Sequence, residues 1–332
     1  MLFPFRGYLP RQSVPERSTT LATRSRRIRE DARRYQSALV LDRAIASGTL
    51  TRTRGPRYFA YTMKRGGVTI VRGLVGEVDI DHLLPHEETR DTLIDPPPPI
   101  EIRPILLVTR LSMPALRGGS RAGAAAEDGT WMHRIRPVDL PEGFDDTTAM
   151  IIADGHHRTR AVRSARGDTA RILAMVVGDG GRGLRVGTFH RVFTGVGRLP
   201  RGIGDAFEVT PTESRGPIAG SIIWVGGDGA RWRLRPTPEG LARVPSALEG
   251  SGAALAAAAL YPILGVAETD AIYVASTASA VSHLGAGDAA LLLPPVPMET
   301  VLSAAEAGIP LPPKGTRFDP KPVRGLVLRA AD

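Results

Sequence analysis

The densest group of side chains suited to acid–base or phosphate chemistry lies in Ile151–Val162, IIADGHHRTRAV. An apolar strand is predicted to end at Asp154 and Gly155, where Asp154 would cap a following helix. That helix would begin with His156, His157 and Arg158. Unpaired N–H groups at a helix start, the positive end of the helix dipole and an adjacent guanidinium together suit a phosphate. A capped helix with two surface histidines would give the same pattern, so the segment alone leaves both interpretations open.

A protein-ligated metal is not predicted from these histidines. Successive helical residues point about 100° apart, so His156 and His157 are poorly placed to bind one ion together. The zinc motif HExxH is not completed at His86, because Arg90 occupies its last position.

A second group lies in Leu83–Arg90, LLPHEETR, where two carboxylates follow a proline and a histidine. The pattern predicts a loop leading into a short helix, with Glu87 and Glu88 at or near the helix start. One of them could serve as a general base if burial raises its pKa. A solvated capping carboxylate is the competing interpretation.

Two further groups occur late in the chain. Leu311–Lys321, LPPKGTRFDPK, holds Lys314 and Lys321, although the chain has only three lysines among its 43 basic residues. A lysine kept against this arginine bias suggests a point-charge contact to phosphate. The other group, Gly187–Phe193, places His190 and Arg191 at the end of a predicted strand.

Composition narrows the function classes. The chain has 332 residues, a formal net charge of +9 and no cysteine, which excludes disulfides, thiolate catalysis and Cys-ligated metals. Six arginines crowd Arg24–Arg34, but two acids interrupt them and aromatics are only 5% of the chain. A solvated helix is therefore favoured there over a nucleic-acid site. With no apolar signal core or membrane-length apolar stretch, we expect a cytoplasmic protein without membrane contact.

Strands and helices are mixed without strict alternation, which predicts an α+β (mixed α/β) fold. Glycine and proline cluster at Thr194–Gly204, so we expect a first domain over 1–195 and a second α+β domain over 196–332 that contributes the PPKGT segment. No feature indicates an oligomeric state.

Several local patterns predict single elements. A helix is expected over Arg24–Ser47, and a hairpin with its turn at Gly66–Gly67. Leu184–Phe193 should form one strand, preceded by a hairpin turn at Gly178–Gly183, and Gly118–Thr130 should be a flexible excursion.

Taken together, these groups resemble the family catalogued as domain of unknown function 1015, from Pro4 through Leu328. The most specific pieces are PHEET at Pro85–Thr89, ADGHHR at Ala153–Arg158, FHR at Phe189–Arg191 and PPKGTRFDPK at Pro312–Lys321.

The PHE and DGHHR pair also resembles the ParB/sulfiredoxin-like fold and, within it, the free serine kinases. The resemblance implies a ParB/sulfiredoxin-like N-terminal core that transfers a phosphoryl group from ATP or ADP, with Mg²⁺, to the hydroxyl of L-serine or a similar free amino acid. By matching position, it implies that Glu87 is the base and that Asp154, Gly155, His156, His157 and Arg158 form the phosphate loop. For such a kinase we expect Asp154 and His156 to be catalytic, with Asp154 orienting Mg²⁺ or sharing the base role. The phosphate-binding residues would be Gly155, His157, Arg158, His190, Arg191, Lys314 and Thr316.

The chain departs from the family in two places. The early APPYDV-like segment is missing, and the helix that usually carries a DV…LH pattern reads ALEGSGAALAAAALYPIL over Ala247–Leu264. If these segments shape the acceptor pocket, the acceptor differs from serine or catalysis is impaired. Two alternatives to the kinase therefore stay open: a ParB-like nucleotide-binding switch or DNA-associated protein, and a catalytically silent regulatory paralogue.

Overall fold

The computed structural model describes residues 1–11, 38–89, 97–113, 123–139, 148–282 and 284–330. The chain divides into two compact units. Unit 1 comprises Met1–Leu84, Asp91–Leu184 and Pro320–Asp332, and unit 2 comprises Pro85–Arg90 and Arg185–Asp319. This division is discontinuous and so differs from the two continuous domains expected from the sequence. The segment that carries Glu87 belongs to unit 2, and the segment that carries Lys321 belongs to unit 1.

The strands range in length from two residues to the twelve of Val68–Asp79. In chain order they are β1 Leu2–Phe3, β2 Tyr8–Pro10, β3 Leu50–Arg52, β4 Tyr58–Arg65, β5 Val68–Asp79, β6 Leu83–Pro85, β7 Ile100–Glu101, β8 Ile105–Val108, β9 Ala124–Asp128, β10 Trp131–Val138, β11 Met150–Asp154, β12 Arg171–Val177, β13 Arg185–Gly187, β14 His190–Phe193, β15 Phe207–Pro211, β16 Ile222–Gly226, β17 Arg231–Pro236, β18 Ile272–Val274, β19 Ala289–Leu292, β20 Arg317–Asp319 and β21 Arg329–Ala330.

The α-helices are α1 Ala38–Ala46, α2 His156–Arg166, α3 Pro238–Leu241, α4 Gly252–Leu255, α5 Tyr261–Leu264, α6 Thr277–Ser282 and α7 Met298–Glu306. A π-helical turn, Ala256–Leu260, joins α4 to α5. Short 3₁₀ turns occupy Ile80–His82, Ile203–Asp205, Ser246–Leu248 and Glu268–Asp270. Within the described ranges, no helix combines the length and the apolar character needed to cross a bilayer.

Unit 1 is built on a mixed nine-stranded sheet with the order β6-β11-β8-β12-β5-β4-β10-β9, and β1 adds to β5. Strands β8 and β12 pair in parallel, whereas β11 pairs antiparallel with β8. A register shift between Ile152 and Asp154 interrupts the β11–β8 ladder, so the regular alternation of β11 ends just before the helix α2. The buried face of α2 presents Thr159, Ala161 and Val162.

Unit 2 is built on a six-stranded antiparallel sheet with the order β15-β17-β16-β19-β14-β18. The alanine-rich segment Gly252–Leu264 joins the core on one face, together with Trp224 and Phe193. A separate two-stranded ribbon pairs β13 with β20, with Val186 opposite Phe318. This ribbon fixes the chain directly after the PPKGT segment, because β20 begins at Arg317.

The hairpin prediction is confirmed, since β4 and β5 pair antiparallel across Gly66 and Gly67. Both glycines have positive φ, +55° and +80°, which the tight turn requires. The predicted strand Leu184–Phe193 is instead two strands, β13 and β14, in different sheets.

Three other local predictions are corrected or fall outside the described ranges. Within Gly118–Thr130, Ala124–Asp128 is an ordered strand that pairs with β10. Gly178–Gly183 is not a hairpin turn, because β12 and β13 on its two sides belong to different sheets. The basic run Arg24–Arg34 lies outside the described residues, and only Ala38–Ala46 of the predicted helix is described as helix.

Candidate functional site

The segment that carries Glu87 is extended rather than helical. The Leu311 N–H donates to the carbonyl of His86 at 2.8 Å, and the Glu88 N–H donates to the carbonyl of Leu311 at 2.9 Å. These two bonds form a parallel bridge between Glu87 and Leu311. The predicted helix start at this point is therefore wrong, because the backbone satisfies its hydrogen bonds with a distant segment of the same unit.

The carboxylate of Glu87 points to the PPKGT segment. Its Oε2 accepts from the Thr316 N–H and from the Thr316 hydroxyl, both at 3.3 Å. Burial raises the pKa of Glu87, and the main chain and ammonium of Lys314 and the two Thr316 bonds offset part of that rise. Glu88, by contrast, is exposed. Of the two acids that the sequence left open, Glu87 therefore has the environment that suits a general base.

Arg191 holds the turn that presents Lys314. Its side chain is fully buried and donates to the main-chain carbonyls of Phe189, Pro313 and Lys314. Lys314 itself has a φ of +56°, a left-handed conformation that is costly for a residue with a side chain. The guanidinium of Arg191 thus makes its hydrogen bonds to groups of the protein itself. The arrangement fits a positioning role for Arg191 rather than the phosphate contact expected from the sequence.

His190 is buried beside Arg191. Its Nδ1 accepts the Leu293 N–H at 3.2 Å, so the remaining ring nitrogen, Nε2, carries the proton. Burial, followed by the charges of Arg191 and Arg317, lowers the pKa of His190 to about 4. A neutral His190 can offer a phosphate one hydrogen bond from Nε2, but no charge.

The pKa of His190 predicts a loss of stability in mild acid. Because the folded protein favours the neutral ring, its contribution is present above the unfolded pKa of 6.5 and is lost as the pH falls towards 4. At 1.36 kcal/mol per pKa unit, the loss is about 3 kcal/mol. We expect His190→Asn, which keeps an acceptor for the Leu293 N–H, to lose correspondingly less stability between pH 6.5 and pH 4. Urea unfolding at the two pH values measures this, and equal losses in both proteins would contradict it.

In unit 1, Gly155 rather than Asp154 caps α2. Gly155 has a φ of +118°, and a Cβ built on it would lie 2.5 Å from the Ile105 side chain. The Asp154 side chain makes no capping bond to the helix, so that prediction is wrong. The first turn of a helix leaves backbone N–H groups without acceptors inside the helix. Glycine at position 155 therefore allows the chain to turn directly from β11 into α2. The N–H groups of the first helical turn consequently lie at the end of β11.

Asp154 is surrounded by positive charge. Its carboxylate pairs with Lys321 and with Arg158, the latter at 3.0 Å, and Arg103 lies 3.9 Å away. Burial acts to raise the pKa of Asp154, but Lys321, Arg158 and Arg103 outweigh it and lower the pKa. An ionised carboxylate held by cations is a weak proton acceptor, so Asp154 does not fit the shared base role.

The same arrangement tests the predicted magnesium contact. Three cationic side chains around Asp154 disfavour a divalent cation at its oxygens. Among the described residues, no group of three or more His, Asp or Glu is placed to hold a metal ion. Asp154 therefore does not fit the role of a magnesium ligand.

Besides Arg103, the site prediction missed Lys321 in this cluster. Its side chain is one-third exposed, and it belongs to unit 1 together with Asp154. The available signal was the pair of lysines in PPKGTRFDPK, but sequence reasoning assigned the phosphate contact to Lys314 alone. Lys321, Arg103 and Arg158 face one Asp154 carboxylate, which leaves an excess of positive charge beside the start of α2.

The predicted site residues thus fall into two groups. Unit 1 brings together Asp154, Gly155, His156, His157 and Arg158 at the end of β11. Unit 2 brings together Glu87, Lys314 and Thr316, with Arg191 behind the Lys314 turn and His190 next to it in β14.

The chain belongs to the α+β class, with a large mixed sheet in unit 1 and an antiparallel sheet in unit 2. No protein-family model and no curated protein matches it. A solved structure of a free serine kinase variant with AMP is 16% identical, with a TM-score of 0.41 over 75% of this chain and 91% of that one. A conserved hypothetical protein from Pyrococcus furiosus is 16% identical, with a TM-score of 0.42 over 75% and 94%. SbnI with a C-terminal truncation, from Staphylococcus aureus, is 14% identical, with a TM-score of 0.42 over 74% and 82%.

Proposed function

We propose that the protein is a phosphotransferase that moves a phosphoryl group from ATP or ADP to the hydroxyl of a free amino acid such as L-serine. The observation that carries the proposal is the environment of Glu87. This carboxylate is held by Thr316, its pKa is raised by burial, and Lys314 lies beside it. A base with a raised pKa next to a cation suits the removal of a hydroxyl proton close to a phosphate.

In this proposal the phosphates of the nucleotide bind at the start of α2. The backbone N–H groups at the start of α2 donate to phosphate oxygens, and His157 lies in the same turn. Arg158 and Lys321 offset the phosphate charge, while Asp154 holds both cations in place. When bound, Mg²⁺ would be carried by the phosphates of the nucleotide and would offset their charge.

The reaction requires little covalent chemistry from the protein, which mainly positions the reactants and balances charge. The acceptor hydroxyl oxygen forms a bond to the terminal phosphorus, and the bond from that phosphorus to the bridging oxygen breaks. The hydroxyl proton passes to Glu87, and ADP or AMP leaves with the electron pair of the broken bond. Lys314 balances charge that develops near the base.

The test is direct. Purified protein is incubated with Mg²⁺, either ATP or ADP, and a panel of hydroxy amino acids, and products are followed by ³¹P NMR. We expect a new phosphomonoester signal with at least one acceptor. Nucleotide binding without transfer to any acceptor would favour the silent paralogue, and salt-sensitive DNA retention without transfer would favour the DNA-associated switch.

We expect Lys321→Ala to weaken nucleotide binding about tenfold, because it removes one charge-assisted contact to phosphate. Titration calorimetry with ADP measures the change. Lys64→Ala is the matched control, since Lys64 is the one remaining lysine outside the late segment and lies at the end of β4. Lys321→Arg, which keeps the charge, should retain most of the affinity. Unchanged affinity in Lys321→Ala would remove this residue from the proposed phosphate site.

A further inference from the structure

A buried hydrogen-bond chain connects His86 to Glu87 through one hydroxyl. The Nε2 of His86 lies 2.6 Å from the Thr316 Oγ1, and the same oxygen lies 3.3 Å from the Glu87 Oε2. His86 is 1% exposed and Thr316 6% exposed. The three side chains come from two segments of unit 2 that are joined by the bridge between Glu87 and Leu311.

We propose that His86 is a positioning residue that sets the proton state of Glu87 through the Thr316 hydroxyl. The proposal rests on the proposed function in one respect, the role of Glu87 as the base. It assigns no direct contact between His86 and any substrate.

The reason lies in the single proton of the hydroxyl. An ionised Glu87 can only accept, so the Thr316 O–H donates to it, and the oxygen of Thr316 then accepts from a proton on the His86 Nε2. A protonated Glu87 can instead donate to the Thr316 oxygen, which then donates to Nε2, so the ring proton lies on Nδ1. The chain therefore has two states, one with Glu87 ready to accept a proton and one with the proton already on it.

The surroundings restrict His86 to this indirect role. Its ring packs edge-on against Phe318, with the centroids 5.5 Å apart and the planes at 77°. Its carbonyl is fixed by the Leu311 N–H. A buried ring that packs against Phe318 and lies within hydrogen-bond distance of the Thr316 hydroxyl is positioned to act through that hydroxyl.

Other groups also act on the pKa of Glu87, so the Thr316 hydroxyl accounts for only part of its shift. The ammonium of Lys314 and the Thr316 N–H favour the ionised carboxylate, and burial opposes them. Neither group depends on the hydroxyl. Removal of the hydroxyl alone therefore changes one contribution to the pKa of Glu87 and leaves the others in place.

The experiment compares Thr316→Val, which removes the hydroxyl at nearly constant shape, with Thr316→Ser, which keeps it. The pKa of Glu87 is read from the ¹³C shift of its carboxyl carbon, assigned with Glu87→Gln. The tautomer of His86 is read from its ¹⁵N shifts in the same samples. We expect the pKa of Glu87 to rise by about 0.5 to 1 unit in Thr316→Val and to stay near the wild-type value in Thr316→Ser.

The tautomer gives a second readout that simple packing would not change. In the wild type and in Thr316→Ser, the His86 proton should move from Nε2 to Nδ1 as Glu87 becomes protonated, and this coupling should vanish in Thr316→Val. A tautomer that ignores the titration of Glu87 in the wild type, or an unchanged pKa in Thr316→Val, would overturn the proposal. Both readouts are independent of turnover, so failure of the kinase assay would leave them interpretable.

Discussion

Replacing Glu87 by glutamine should lower the rate of phosphoryl transfer by about 10²- to 10⁴-fold, because the amide cannot accept the hydroxyl proton. Glutamine keeps an oxygen that can accept from Thr316, so we expect the fold and the nucleotide affinity to survive. In the unsubstituted protein the rate should fall as the pH drops through the raised pKa of Glu87, that is, above the ordinary glutamate value of 4.5. Initial rates measured by ³¹P NMR across a pH series test both points.

The neighbouring acid supplies a matched control. Glu88 is exposed, and its backbone rather than its side chain takes part in the bridge to Leu311. Glu88→Gln should therefore retain the wild-type rate. Equal losses in the two variants, or full activity in Glu87→Gln, would show that Glu87 is not the base.

Substitution of Gly155 by alanine should destabilise unit 1 by about 2 to 5 kcal/mol and remove nucleotide binding. A positive φ costs a residue with a Cβ roughly 1 to 2 kcal/mol, and overpacking adds about 1 to 3 kcal/mol. The overpacking is specific, because the new Cβ would lie 2.5 Å from the Cγ2 and 2.8 Å from the Cβ of Ile105. Urea unfolding and titration calorimetry with ADP measure the two effects.

Gly129→Ala separates backbone strain from the clash. Gly129 also lies in unit 1 with a positive φ, +59°, but a Cβ there would meet nothing within 4 Å. We expect a cost of about 1 to 2 kcal/mol from strain alone and normal nucleotide binding. If both alanine variants behaved alike, the close approach of Gly155 to Ile105 would not be what requires glycine.

The fold was predictable where local signals were strong. Alternating apolar residues around Gly66–Gly67 gave the hairpin, and the apolar run before Asp154 gave β11 and then α2. The prediction failed where distant partners decide the conformation. The alanine-rich composition around Ala124–Asp128 is typical of a flexible segment, but antiparallel pairing with β10 makes these residues a strand. Residues 86–89 lack a helix because Leu311 takes their backbone hydrogen bonds.

The candidate site shows the same contrast between local signals, which were predictable, and distant contacts, which were not. Residue types and order identified Glu87, Gly155 and Lys314 as members of charged clusters. The sequence did not reveal that Arg191 would be buried behind the Lys314 turn or that Lys321 would pair with Asp154, since both depend on contacts between remote segments. For this reason the structure fits neither the phosphate contact expected of Arg191 nor the base and magnesium roles expected of Asp154.

The bridge between Glu87 and its late partners has a consequence during translation. Thr316 follows Glu87 by 229 positions, so a ribosome adding about 5 to 20 residues per second makes the two roughly 10 to 50 s apart. Until then the nascent chain has an acidic segment with neither its lysine nor its threonine. Under the proposed function, a chain released before Lys314 is made would lack the lysine and the threonine that act on Glu87, and we expect it to be inactive.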